Sequence, residues 1–498
     1  MIIFYILNYI LFLEKKQMEL KKKIAYNTII QIIGKGLSVF LGVISLAIMT
    51  RYLGTEGFGE YSTIITFVSF FAMSADLGLN LITTKMISDP NEKNSDKILS
   101  NLFSIRFFSA LILLGLAPLF IIFFPYSDVI KIGVLIATLS YIFPALNQIL
   151  IGLFQKTLQM EKAMIAEIIG KVFLVIVIFI FIKLDWGLNG VLWAAVISAF
   201  INFVINWLFG KKSAKIKFEF DITIWKKIFR NSWPLAVTII LNLIYQKSDI
   251  IILSLFKNIS DVGIYSSAYK TTEVINTIPY MFIGIMLPFF TSAWINKNID
   301  FLKKTAQKSF DFMIILSIPL LIGTQFTAKE VISLIAGKNF SDGGMALQIL
   351  MLSTVLLFIS CVFSHLVIAI EKQKKVIGLY AFTMISSLLL YFILIPKFSY
   401  LGAAIVTVYS NLVILIGSYY CVRKNTGFKP NIKIIGQTLL ASLGMAGFMA
   451  SFPRHLYQNH YLLLVIIFSA IIVYFFLLYL FKGISKDDIK TMLPNKKL

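Results

Sequence analysis

The chain has 498 residues, of which 58% are hydrophobic and only 14% charged, against about 25% charged in an ordinary soluble domain. Its formal net charge is +22, from 46 Lys and Arg against 24 Asp and Glu. In a soluble protein that surplus would suggest nucleic acid, but here it accompanies apolar runs long enough to cross a bilayer, and no nucleic-acid partner is expected.

The first 13 residues, MIIFYILNYILFL, are apolar but short for a span, which needs roughly 20 residues. No positive segment precedes them and no small-residue cleavage site follows, so a signal peptide is disfavoured. They read as an interfacial segment or as an over-extended start, because Met18 opens the more natural cytoplasmic leader MELKKKIAYNT. Fourteen apolar spans follow, near 24–50, 58–84, 98–124, 129–154, 163–183, 188–209, 229–256, 262–290, 305–327, 344–370, 376–396, 400–421, 432–452 and 461–481. Helices, which satisfy their own backbone groups, are the natural form for such segments in lipid. The fold class is therefore an all-α integral membrane protein. With the N-terminus inside, 33 of the 46 Lys and Arg fall in or beside inner segments, 8 outside and 5 within spans. The positive-inside rule then places both termini in the cytoplasm.

A weak internal repeat organises the spans. GFGEYSTI at Gly57–Ile64 and DVGIYSSA at Asp261–Ala268 open the second and eighth spans and align Gly59 with Gly263, an offset of 204. GLNGVLWAAV at Gly187–Val196 and SYLGAAIVTV at Ser399–Val408 open the sixth and twelfth, aligning Gly190 with Gly402 at an offset of 212. Two parallel six-helix lobes are implied, as in one known transporter architecture. The expected domains are a leader 1–23, an N-lobe 24–209, a basic cytoplasmic linker 210–228, a C-lobe 229–421, an added helix pair 432–481 and a tail 482–498.

The connections are too short for a soluble domain; the longest are an outer one at Ala328–Gly343 and an inner one at Gly210–Lys227, in which Lys217 should be solvated. There is no G-x-x-x-x-G-K-[ST] phosphate loop, no H-E-x-x-H and no C-x-x-C. Cys361 and Cys421 lie in or at the inner ends of spans, and nothing argues for a disulfide between them. His455 and His460 read as solvated in an outer turn, and no metal or catalytic set is visible.

The run NTIIQIIGKGLSVFLGVISLAIMTRYLGTEGFGEYSTI, followed by ADLGLN at Ala75–Asn80, resembles the Wzx-type polysaccharide repeat-unit flippases of the multidrug/oligosaccharidyl-lipid/polysaccharide exporter superfamily. Asn27–Thr28, Arg51-Tyr-Leu-Gly, Gly59-x-Tyr61, Asp76-Leu-Gly, Lys247–Phe256 and Pro288 carry the likeness. The resemblance implies two lobes around a central cavity. It also implies alternating-access transfer of an undecaprenyl-pyrophosphate-linked oligosaccharide across a bacterial cytoplasmic membrane, for O-antigen or capsule. It implies a transporter rather than an enzyme, with the lipid bilayer and polysaccharide polymerase machinery as partners. No cofactor is expected beyond a coupling ion, H⁺ or Na⁺. Competing readings are a peptidoglycan-precursor flippase, a cation-coupled drug exporter and a membrane polymerase or ligase; the last lacks an outer loop large enough for an acceptor site.

A pyrophosphate needs a cationic path, and ionisable residues inside a membrane usually face a cavity or a partner. The basic candidates are Lys35, Arg106, Lys171, Lys247 and Lys270, with Arg51 ending the first span. The acidic, ion-coupling candidates are Asp76, Glu167, Asp249, Glu273 and Asp311, and His365 could titrate near neutrality or bind a helix carbonyl. Glu167–Lys171 and Lys270–Glu273 have spacings that close on one helix, while Arg106 and Lys171 can snorkel. Lys35 sits mid-span between Gly34 and Gly36 with no acid within a turn. Lys247 lies in the corresponding first helix of the second lobe, and the two should face each other across the lobe interface. Pro118, Pro144, Pro234, Pro279, Pro288 and Pro319 should bend helices. Tyr52, Phe58, Tyr61, Tyr126 and Tyr400 read as interfacial aromatics.

Overall fold

The computed structural model describes residues 18–76, 78, 79, 83, 86, 87 and 94–483. The apolar opening segment, most of 77–93 and nearly all of the tail lie outside the described residues. The rest is helical, with no strand among the described residues. In order, the helices are α1 Met18–Asp76, α2 Ser95–Phe120, α3 Asp128–Thr157, α4 Met160–Lys183, α5 Gly187–Lys211, α6 Ile222–Phe256 and α7 Ile259–Ile295. They continue with α8 Ile299–Ala336, α9 Gly343–Ala369, α10 Gln373–Thr426, α11 Lys433–Ala450, the short α12 Arg454–Gln458 and α13 His460–Leu480. Eleven of them are long and apolar enough to cross a membrane. Two of these, α1 and α10, break at Gly54 and Ser399 and each holds two of the expected spans. The remaining span is α6, whose first turns are basic.

By contacts the described residues form two compact units, 18–263 and 264–483. In the first, α1 packs on α2, α3, α4 and α6, and α5 lies against α3 and α4. In the second, α9 lies between α8 and α10, and α11 and α13 dock on α8. Tyr474 of α13 donates to the Ile315 carbonyl at 2.7 Å, fixing the added pair. Helix α13 is apolar all round and keeps Tyr461, Phe468 and Phe476 exposed, as a lipid-facing helix should.

The repeat glycines mark close approaches. A Cβ on Gly59 would overlap the carbonyl oxygen of Ile259, and one on Gly263 would overlap that of Thr55, each four residues before the opposing glycine. The two helix starts therefore cross backbone to backbone in a near-symmetric contact, reinforced by Ser260 Oγ–Thr55 Oγ1 at 2.8 Å. Gly190 packs on Phe181 and Trp186, and Gly402 on the Leu394 carbonyl. The turns before them use left-handed backbone at the aligned residues Gly187 (φ 58°) and Ser399 (φ 50°). Both halves thus place a positive φ at the aligned residue, although the first also has one at Asp185 (φ 52°).

Two expectations change. The outer segment Ala328–Gly343 is mostly helix, because α8 continues to Ala336 and leaves only a single turn at Lys338–Phe340 before α9. The linker after α5 is not a solvated loop. Residues 215–221 run extended along α2, where the backbone N–H groups of Lys215, Lys217, Glu219 and Asp221 donate to Asp96, Ser100, Ser104 and Asn101 at 2.8–3.4 Å. Two residues of extended chain advance about 6.6 Å and four helical residues about 6 Å, so the amides of Lys215, Lys217 and Glu219 meet side chains one helical turn apart, and that of Asp221 turns back to Asn101. The Lys217 side chain does remain exposed. Asp221 then caps α6 by accepting from Thr223 and Ile224, and Trp225 Nε1 shares the Asn101 oxygen at 3.0 Å. The second unit repeats the device on its corresponding helix. Gln307 of α8 accepts from Asn431 N at 2.7 Å and donates to its carbonyl at 3.0 Å, just before α11.

Two outcomes are expected. Gly59→Ala or Gly263→Ala should destabilise the protein by about 1–3 kcal/mol, because a backbone carbonyl cannot move aside as a side chain can. Gly36→Ala, which meets nothing within 4 Å, should be neutral or slightly stabilising; thermal unfolding in detergent reads both. The exposed Lys97–Asp221 pair at 2.7 Å lowers the Asp221 pKa, chiefly through the hydrogen bond from Lys97, and raises that of Lys97. A depressed carboxylate stabilises above its unfolded value and is lost as pH falls through its folded value; a raised lysine is lost only as pH rises through its own. The amide protection factors at Thr223 and Ile224, which Asp221 caps, should therefore hold through neutrality and fall below about pH 4, and Asp221→Asn should lower them already at pH 7.

Candidate functional site

The first half of α1 is fixed to α4 at three levels. At one end, buried Asn27 donates to the Leu158 carbonyl at 2.7 Å and accepts from Met160 N at 2.9 Å. This clasps the left-handed turn at Leu158 (φ 53°) that opens α4. At the other end, the Tyr52 hydroxyl donates to Asp185 at 3.0 Å and accepts from Gly187 N at 3.0 Å, holding the turn after α4. Asn27 and Tyr52 are 25 positions apart, about seven turns, and so share a face. Between them Gly34 lets α1 close on Met164, to which a Cβ would come within 2.8 Å.

At the middle level, Lys35 Nζ lies 3.0 Å from Glu167 Oε1 and Ser38 Oγ donates to the same oxygen at 2.6 Å. Glu167 is thus held by α1, not only by Lys171 on its own helix. Lys171, one turn further on, acts on the same carboxylate. The cluster holds two cations and one anion. Its side chains keep 42% (Lys35) and 24% (Glu167) of their surface exposed, and Gly36 beside them faces open space.

The other candidates sort by their surroundings. Arg106 and Asp76 form a 2.6 Å pair with only 4% and 10% of their side chains exposed. Arg106 also donates to the carbonyls of Ala145 and Ala75 at 3.0 and 3.2 Å, so this pair ties α1, α2 and α3 together. Asp249 is fully buried and accepts from Ile250 N at 2.8 Å, while neighbouring Lys247 is half-buried. Arg51 donates to the Ala47 carbonyl at 2.9 Å. In the second unit, Lys270 and Glu273 pair at 2.7 Å on one helix, both about a third exposed. Asp311 accepts from Gln307 at 2.7 Å and so orients the clamp on Asn431. His365 Nδ1 lies 2.8 Å from the Cys361 carbonyl one turn back, the ordinary helix-carbonyl pairing. A buried amide cluster joins α3 to α5, with Asn147 and Asn206 both donating to Asn202, at 3.2 and 2.7 Å. No group of His, Cys, Asp and Glu that could hold a metal occurs among the described residues.

Of the aromatics expected at the interface, Phe58 and Tyr126 are buried, and Tyr52, Tyr61 and Tyr400 are partly exposed. Phe58 is fully buried, Tyr52 is a clamp, and the hydroxyls of Tyr126 and Ser254 are 2.7 Å apart. Sequence reasoning also missed Ser38, although its place three residues after Lys35 on the same helical face was a usable signal.

These helices define a multi-pass membrane fold. The fold is similar to the lipid II flippase MurJ in its inward closed conformation, with a TM-score of 0.71 over 90% of this chain and 98% of the other, at 17% identity. It is also similar to an inward-facing MATE-family multidrug resistance transporter, with a TM-score of 0.65 over 78% and 94% of the two chains, at 16% identity. The sequence profile of the polysaccharide biosynthesis protein family matches residues 20–294, more than half of the chain. The chain belongs to that family. Its relatives include the capsular polysaccharide biosynthesis protein CapF of Staphylococcus aureus, 24% identical over 78% of this chain and 96% of that protein. Another is the probable low-salt glycan biosynthesis flippase Agl15 of Haloferax volcanii, 23% identical over 85% and 88%.

Removing one partner of the buried pair should be costly. Arg106→Ala strands Asp76 and should destabilise the protein by about 3–5 kcal/mol, whereas Asp76→Leu/Arg106→Leu should recover much of the loss. Thermal unfolding together with membrane abundance measures this.

Proposed function

We propose that this chain is a flippase that moves an undecaprenyl-pyrophosphate-linked oligosaccharide from the inner to the outer leaflet of a cytoplasmic membrane, supplying a surface polysaccharide such as O-antigen or capsule. The observation that supports it is the half-exposed cationic cluster Lys35–Lys171–Glu167–Ser38 in the middle of the first apolar helix. Ammonium groups there need anionic partners. A pyrophosphate is such an anion, and the lipid tail need not leave the bilayer. Relatives named for capsule and glycan biosynthesis point to a glycan as the cargo. In this reading both termini are cytoplasmic and the translocated unit passes to a polymerase. Glu273, a third exposed beside Lys270, is the carboxylate we assign to a coupling H⁺ or Na⁺.

The second reading, a peptidoglycan-precursor flippase, has its own support. Its fold match covers more of the chain than the multidrug-transporter match does. It asks the cationic cluster to bind the same carrier phosphates and differs only in the sugar.

Loss of the protein should leave lipid-linked single units at the inner leaflet. Lys35→Gln, at normal membrane abundance, should cut surface polysaccharide by about tenfold or more, the equivalent of one ~1.4 kcal/mol interaction. Lys35→Arg should retain more, and Lys217→Ala should be neutral. Full export by Lys35→Gln would overturn the cationic site. Rescue of viability in cells lacking their own peptidoglycan-precursor flippase, with surface polysaccharide unaffected, would favour the second reading.

A further inference from the structure

We propose that Glu167 is an internal stand-in for the cargo phosphate: it holds Lys35 and Ser38 in the absence of cargo and is displaced when the lipid diphosphate binds. This rests on the cationic-site reading above and adds a gating residue to it. Two ion pairs in the same unit make the contrast. Arg106–Asp76 is nearly sealed, with 4% and 10% exposure, and its guanidinium is further tied to two backbone carbonyls. Lys35–Glu167 keeps 42% and 24% exposure. Its lysine has open space on the Gly36 side, while Gly34 on the other side is packed against Met164.

The donor set fits an exchange of anions. Lys35 and the buried Ser38 hydroxyl converge on one carboxylate oxygen, at 3.0 and 2.6 Å. These are an ammonium and a hydroxyl, donors of the kind that charge-assisted bonds to a phosphate use. A diphosphate brings more charge and more acceptor oxygens than Glu167 and can win this contest while bound. When the diphosphate leaves, the tethered carboxylate returns and prevents Lys35 from holding the departing anion. An intramembrane lysine without such a competitor would bind cargo tightly and release it slowly. The exchange breaks the Lys35–Glu167 and Ser38–Glu167 contacts and forms Lys35–phosphate and Ser38–phosphate contacts; no covalent bond changes.

The test is binding to the purified full-length chain in nanodiscs, with farnesyl pyrophosphate as probe and farnesol and inorganic pyrophosphate as comparison ligands. Glu167→Gln should bind farnesyl pyrophosphate about tenfold more tightly than the wild type, a coupling of ordinary size. In cells the same variant should export more slowly at matched abundance. Should Glu167→Gln fail to accumulate, Glu167→Asp, which draws the carboxylate back by one methylene, should tighten binding by a smaller factor. Lys35→Gln and Lys35→Gln/Glu167→Gln should both bind weakly. Equal tightening for inorganic pyrophosphate supports the exchange and puts lipid recognition elsewhere. Tightening for the farnesyl compound alone supports it with the tail included. If Lys35→Gln binds poorly but neither Glu167 variant binds more tightly, the exchange is wrong and the cationic site stands. If Lys35→Gln binds as well as the wild type, the cationic site fails, and the exchange with it.

Discussion

The attachment of α1 to α4 is the contact on which the rest of the candidate site depends. It is made at three heights by three kinds of chemistry: an amide clasp at Asn27, an ion pair at Lys35 and a phenol clasp at Tyr52. The two end clasps bind the ends of α4 and the turns beside them: Asn27 holds the Leu158 carbonyl and the N–H of Met160, and Tyr52 holds the Asp185 carboxylate and the N–H of Gly187. Backbone groups at helix ends have no partner within their own helix, and in a membrane a missing partner is expensive. The clasps therefore satisfy the turns and fix the register of the two helices together. Only with that register set does Lys35 meet Glu167.

Close approach and charge are handled by different residues. Where backbones must touch, glycine does it, at Gly34 against Met164 and at Gly59 and Gly263 against each other's helices. Where charge must be stored, two solutions appear. The Arg106–Asp76 pair is sealed among three helices and acts as a fixed strut. The Lys35–Glu167 pair is left half-open. In a low-dielectric interior, separating the first would strand a charge, whereas the second keeps part of its surface open.

The internal repeat runs deeper than the matching strings. Both halves use left-handed backbone at the aligned residues Gly187 and Ser399. Both also use the corresponding helix, α2 or α8, to grip the segment that leads into the next helix. The side chains differ, with Asn101 and two serines in one unit and Gln307 in the other. The physical requirement, an acceptor for an unpaired backbone N–H near a helix start, is the same.

The sequence by itself determined the number of spans, the apolar character of their surfaces and the two-fold repetition. Each follows from local rules: roughly twenty apolar residues cross a bilayer, and a helix satisfies its own backbone. It also picked out Lys35, because a charge between two glycines far from any sequence-local acid stands out against that background. What it could not supply was partnership between residues far apart in the chain. Glu167 lies 132 positions from Lys35 and was read as the partner of its helical neighbour Lys171. Tyr52 stands out in the sequence only as an aromatic at a span end, and nothing local shows that its hydroxyl holds a turn some 130 residues away. The linker was read as solvated because its charges are exposed, while its backbone lies in a ladder of α2 side chains. Periodicity and composition report what one helix needs from its solvent. Which helix answers a given polar group is decided by packing, and only the tertiary structure contains it.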